Sequence, residues 1–121
     1  MEDIKVGEKL RCNDGLIGEL IRIERDDIDT SLKWYVFDDG KNEYYVNKPY
    51  ITKHSFNLID LLETDDIVFV SGSFIGLDYI YIHAESMLKA LKQDIQNGIK
   101  IRKVLTHESY EANCYKVKGE W

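Results

Sequence analysis

The sequence predicts a mainly β domain carrying one α-helix, an α+β fold. Short runs rich in Ile, Val, Tyr and Phe recur between turn signals, and only one segment holds a helical period. A length of 121 residues with 44% hydrophobic side chains suits one core and is short for two. The expected organisation is a single domain over 1–121. Residues 4–70 form a small, partly open β-barrel and 71–121 a strand–helix–strand extension.

The first strand, through Val6-Gly7-Glu8-Lys9-Leu10-Arg11-Cys12, leads into Asn13-Asp14-Gly15, a turn that supplies positive φ at little steric cost. In the second strand, 16–24, Ile17, Glu19, Ile21 and Ile23 are expected on one side. Leu16, Gly18, Leu20, Arg22 and Glu24 are expected on the other, with Gly18 marking a bulge or bend. Residues 26–31 form a polar loop. Runs 33–37 and 43–46, joined by Asp38-Asp39-Gly40-Lys41-Asn42, predict a hairpin. Pro49 breaks the ladder, and 50–52 resume it at an edge. Residues 57–63 fit one helical turn.

The apolar run Ile67-Val68-Phe69-Val70 predicts a buried strand, followed by a turn over 71–76. In 77–82, Tyr79 and Tyr81 share one face and Ile80 and Ile82 the other. Ala84, Met87, Leu88, Leu91 and Ile95 form an apolar stripe over a helix at 84–97, with Gly98 at its C′ position. A strand at 99–105, a helical turn at 107–113 capped by Thr106, and a closing strand at 115–117 complete the chain.

Val6-Gly7-Glu8, Asp14-Gly15 and Gly18 resemble the opening of SH3-like barrels of the KOW type. That resemblance implies a small, strongly bent sheet. Members of that group often bind RNA or ribosomal proteins through a basic face, which is absent here. The opening 4–18, Ile51-Thr52-Lys53-His54-Ser55, residues 57–63 and the end 101–117 resemble small phage and prophage proteins of low-GC Gram-positive bacteria. The segment Val104-Leu105-Thr106-His107-Glu108-Ser109-Tyr110-Glu111 matches their recurrent pattern; residues 67–96 do not match. The resemblance implies a setting: small accessory phage proteins often bind a host protein, as anti-CRISPR inhibitors of host defence do.

Net charge is −6, unevenly spread: residues 1–66 hold 16 acidic and 9 basic side chains, 67–121 hold 6 and 7. An acidic front half repels phosphate backbones and suits a basic partner surface, unless the acids serve only solubility. No run approaches the about 20 apolar residues that cross a bilayer, and Met1-Glu2-Asp3 lacks a basic secretion signal. A cytoplasmic location in a host cell, with no membrane partner, is the expectation.

No catalytic grouping stands out, so the expectation is a protein that is not an enzyme. Cys12 and Cys114 lie far apart and read as reduced, apolar fillers. Asp14 would raise the Cys12 pKa. His54, His83 and His107 lack metal-ligand spacing, so no metal or cofactor is expected. The acidic pairs Asp26-Asp27, Asp38-Asp39 and Asp65-Asp66 match turn chemistry rather than a calcium loop. Tyr79 and Tyr81 either stack bases or pack across strands under the helix. The expected partner site is an acidic–aromatic patch of Asp26, Asp27, Asp29, Tyr35, Asp38, Asp39, Tyr44 and Tyr45, unless that hairpin simply has a packed and a wet face. Two functions follow. The first is a phage protein that binds and inhibits or redirects a host protein, such as a nucleic-acid-handling defence factor. The alternative is an SH3-like nucleic-acid-binding module using Tyr79, Tyr81, Lys100, Arg102, Lys103, Lys116 and Lys118.

Overall fold

A computed structural model describes residues 3–72, 78–108 and 115–116. It is mostly β with one helix, as expected, and divides into two compact units, Met1–Leu61 and Leu62–Trp121. Each has its own antiparallel sheet. Among the described residues, neither sheet closes into a barrel.

The first unit is a meander of β1 (Lys9–Cys12), β2 (Ile17–Arg25), β3 (Lys33–Asp38) and β4 (Glu43–Val46). A 3-10 turn at Lys48–Tyr50, with Pro49 in its first positions, then swings the chain over. Strand β5 (Ile51–Ser55) returns beside β1, giving the order β4-β3-β2-β1-β5. Gly15 (φ +89°) and Gly40 (φ +98°) occupy the left-handed region in the two tight turns, where a Cβ would be strained. Leu10, Cys12, Leu16, Leu20, Phe37 and Ile51 make the core, with Tyr44 and Val46 packed at its margin.

The alternation expected along β2 fails at one point. Leu20 pairs with Phe37, but Arg22 pairs with Val36, so Ile21 is an extra residue in the strand. This bulge puts Arg22 on the face opposite Leu20 and turns Arg22 and Glu24 away from the core. Gly18 is not the bulge. A Cβ there would lie 2.5 Å from Phe37 Cδ2 and 2.8 Å from the Asp38 carbonyl oxygen, so glycine lets β3 approach closely.

The second unit contains β6 (Ile67–Ser71), β7 (Tyr79–Tyr81), helix α1 (Glu85–Gln96), β8 (Lys100–Leu105) and β9 (Tyr115–Lys116), with sheet order β7-β6-β8-β9. The run 67–70, read from sequence with the first barrel, pairs on both edges within this sheet. Val68 and Val70 are buried and Ile67 and Phe69 half-buried, so β6 alternates despite its uniformly apolar sequence. Of the helix stripe, Leu91 is wholly buried and Met87, Leu88 and Ile95 half-buried. The helix stops where expected: Gly98 (φ +110°) follows the C-cap Asn97. Residues 73–77 and 109–113, Cys114, Val117 and Lys118 lie outside the described residues. Among the described residues, no helix is long and apolar enough to cross a membrane.

Candidate binding face on the first sheet

Asp26 organises the loop between β2 and β3. Its Oδ1 accepts the Ile28 and Asp29 amides, both at 2.9 Å, forming an Asx-type turn. Its Oδ2 accepts the Trp34 indole N–H at 3.0 Å. The Asp29 amide, then the indole, then the Ile28 amide hold this carboxyl below the usual carboxylate range. Asp26 therefore stays charged and fixes the orientation of Trp34. Asp29 accepts the Ser31 amide and hydroxyl, which stiffens the loop further.

The bulge in β2 places Glu24 opposite Trp34. Glu24, Arg25, Asp26, Asp27, Trp34 and Tyr45 line a surface cleft of about 220 Å³. Trp34 and Tyr45 meet nearly edge-on, with centroids 6.4 Å apart and planes at 71°. Tyr45 is 55% exposed. The chain's own Arg22 shows what chemistry this ring accepts. Its guanidinium carbon stands 6.0 Å from the Tyr45 centroid, and Nη2 donates to the Tyr45 hydroxyl at 3.1 Å and to Glu43 at 3.0 Å. One Glu24 oxygen is shielded from solvent and, among the described residues, makes no hydrogen bond, with Arg22 Nε at 3.4 Å. Arg25 turns to the Thr30 carbonyl at 3.3 Å.

No family model matches the chain, and no curated protein or solved structure matches it.

The structure divides the eight residues expected in the patch. Tyr35 is buried in the core, so its ring is withdrawn from any partner, and Tyr44 stacks on Phe37 at 5.4 Å. Of the three tyrosines, Tyr45 is the exposed one. Asp38 and Asp39 order the hairpin turn by accepting the amides of Gly40 (2.8 Å), Lys41 (2.8 Å) and Asn42 (2.9 Å). They end β3, whereas Asp26, Asp27 and Asp29 precede it. A six-residue strand separates the two groups by roughly 17 Å. Glu24 and Trp34 were missed from the sequence. The hairpin register, Asp38 opposite Glu43, was the available signal, because it puts Trp34 on the same face as Tyr45.

On the second sheet, Tyr79 and Tyr81 are 57% and 47% exposed rather than packed beneath the helix. Tyr79 lies 5.9 Å from Phe69, and Lys103 Nζ stands 4.3 Å over the Phe69 ring. The row Tyr79–Phe69–Lys103–Lys116 crosses all four strands in register. Arg102 is the extra residue of a bulge in β8, off that row. Tyr81 donates its hydroxyl to Asp65 at 2.7 Å.

Cys12 is buried, and burial, with help from Asp14, pushes its thiol pKa up to about 12. It remains a protonated filler, unsuited to nucleophilic work. Buried Glu8 accepts the Lys5 amide and lies 2.8 Å from His54 Nδ1. His107 Nε2 lies 3.1 Å from Glu63 and 3.3 Å from Glu108, a grouping able to hold a divalent cation. Sequence spacing hid it, since Glu63 and His107 stand 44 residues apart.

Proposed function

We propose that this is a phage-encoded, non-enzymatic protein that inhibits or redirects a host protein, as anti-CRISPR proteins do. It acts in the host cytoplasm and docks on a basic surface, such as the groove of a nucleic-acid-handling defence factor. The phage setting rests on the sequence resemblance. The docking mode rests on one observation: an oriented Trp34–Tyr45 pair bordered by Glu24, Asp26 and Asp27 around an open cleft. Aromatic faces attract guanidinium and ammonium groups by about 0.5–2 kcal/mol. Surrounding carboxylates add charge-assisted hydrogen bonds and disfavour anions. An arginine or lysine side chain of the partner is the ligand class this combination suits. The scaffold, on this reading, is a partly open SH3-type barrel. Its support is the four-strand meander, the 3-10 turn before the last strand and the return of β5 to β1. The test is a titration with a short arginine-rich peptide followed by amide chemical shifts, beside retention of Gram-positive host proteins at low salt. Shifts centred on Trp34 and Tyr45, with peptide binding and specific retention both lost in Tyr45→Ala, support the reading. Failure to bind the peptide and to retain any specific protein overturns it.

The Tyr79–Phe69–Lys103 row, with Tyr79 exposed and Phe69 and Lys103 half-buried, favours a second reading, in which the second sheet stacks the bases of single-stranded nucleic acid. Micromolar RNA or DNA binding that weakens steeply with salt and disappears in Tyr79→Ala would favour it over the first.

A further inference from the structure

We propose that Glu63, His107 and Glu108 form a binding site for a divalent transition-metal ion, zinc being the best fit. Strand β6 begins at Ile67 opposite Leu105, where β8 ends, so the flanking segments leave the sheet together. Asp66 ties them. Wholly buried, it accepts the Glu63 amide at 2.7 Å and the His107 amide at 3.0 Å. One carboxylate thus fixes the backbone beneath two ligand-bearing side chains.

Two of the three donor pairs have metal-site spacing. Nε2 of His107 is 3.1 Å from Glu63 Oε1 and 3.3 Å from Glu108 Oε1, and all three donors lie within 4.8 Å of one another. Tetrahedral zinc with bonds of about 2.0–2.1 Å places its ligands roughly 3.3–3.4 Å apart. Two carboxylates with a neutral imidazole carry a charge of −2, which balances a divalent ion. The donor set also selects among metals. Imidazole suits zinc, nickel or cobalt, whereas calcium requires six to eight oxygens and magnesium an octahedral shell. The three side chains are 20–35% exposed, which gives an ion access and leaves the fourth position to water or a partner's ligand.

Calorimetric titration of the full chain with zinc, paired with the visible spectrum of the cobalt form, tests the site. One equivalent should bind, with a tetrahedral cobalt spectrum. Affinity should fall on acidification, because proton and metal compete for Nε2. His107→Gln and Glu108→Gln should each weaken binding at least tenfold, while His54→Gln and His83→Gln leave it unchanged. Glu108→Gln keeps the side chain's size and leaves Asp66 and its partners in place, so it reports on the site even if His107→Gln misfolds. Absence of zinc binding to the wild-type chain overturns the proposal. So does undiminished binding in Glu108→Gln, which would show that other donors capture the ion.

Discussion

A Cβ at position 18 has no room. Its nearest neighbours would be the buried Phe37 ring and the backbone of Asp38, neither of which can step aside cheaply. Gly18→Ala should therefore cost about 1–3 kcal/mol, as overpacked positions do; a lower urea midpoint with unchanged slope would measure it. The sequence marked Gly18 as unusual but could not supply the cause, which depends on a contact from the next strand. Glu8 makes a second residue-level case. Burial alone would raise its carboxyl pKa. The Lys5 amide, the His54 ring and the positive charges of His54 and Lys5 outweigh burial and hold it below the ordinary 4.5. The unfolded chain thus takes up this proton first as pH falls. The resulting stabilisation is complete above about 4.5 and disappears as pH drops through the lower folded value. Urea midpoints followed from neutral pH to well below 4.5 should decline for the wild type. In Glu8→Gln the profile should start lower and run flatter.

At the scale of elements, legibility followed periodicity. Helix α1 and the β3–β4 hairpin stand within a residue or two of their expected bounds, because a helical stripe and a turn with Gly40 are local signals. The bulge at Ile21 was not legible. Nothing local distinguishes Ile21 from its neighbours, and the shift exists only in the pairing with β3. Its effect is large, since it decides that Arg22 and Glu24 lie on the face of Trp34 and Tyr45 instead of sharing the face of Leu20. The allegiance of β6 was equally hidden, because an apolar run says that a strand is buried and not which strands flank it. The helix offers the direct test of packing. Leu91 is 1% exposed on α1, so Leu91→Ala should cost about 2–5 kcal/mol. Lys89→Ala, at an exposed position on the same helix, should stay within about 0.5 kcal/mol. Thermal melts of both variants measure the contrast.

For the molecule as a whole, the boundary between units changes the meaning of its charge. Residues 1–61 carry 13 acidic and 9 basic side chains, and 62–121 carry 9 and 7. Glu63 and Asp66, which sharpened the contrast between halves in the sequence, belong to the second unit and are engaged with His107. What distinguishes the first unit is therefore the placement of its acids at the two ends of β3 more than their excess. If the Trp34–Tyr45 cleft receives a basic partner, the nearby end should govern encounter. Asp27 is exposed in that cleft and makes no hydrogen bond described for Asp26 or Asp29, so reversing its charge should leave the loop intact. Asp27→Lys should slow association with the captured partner several-fold at low salt, with a smaller effect at high salt. Asp38→Lys/Asp39→Lys, at the other end of the strand, should slow it less, and Glu85→Lys on the helix should resemble wild type. Tyr45→Ala should act mainly on dissociation, since an interfacial ring contributes contact energy after encounter. Association and dissociation rates from surface-based kinetics separate these effects. A larger effect at Asp38–Asp39 than at Asp27 would move the docking site to the hairpin turn, away from the only exposed tyrosine of the three first considered.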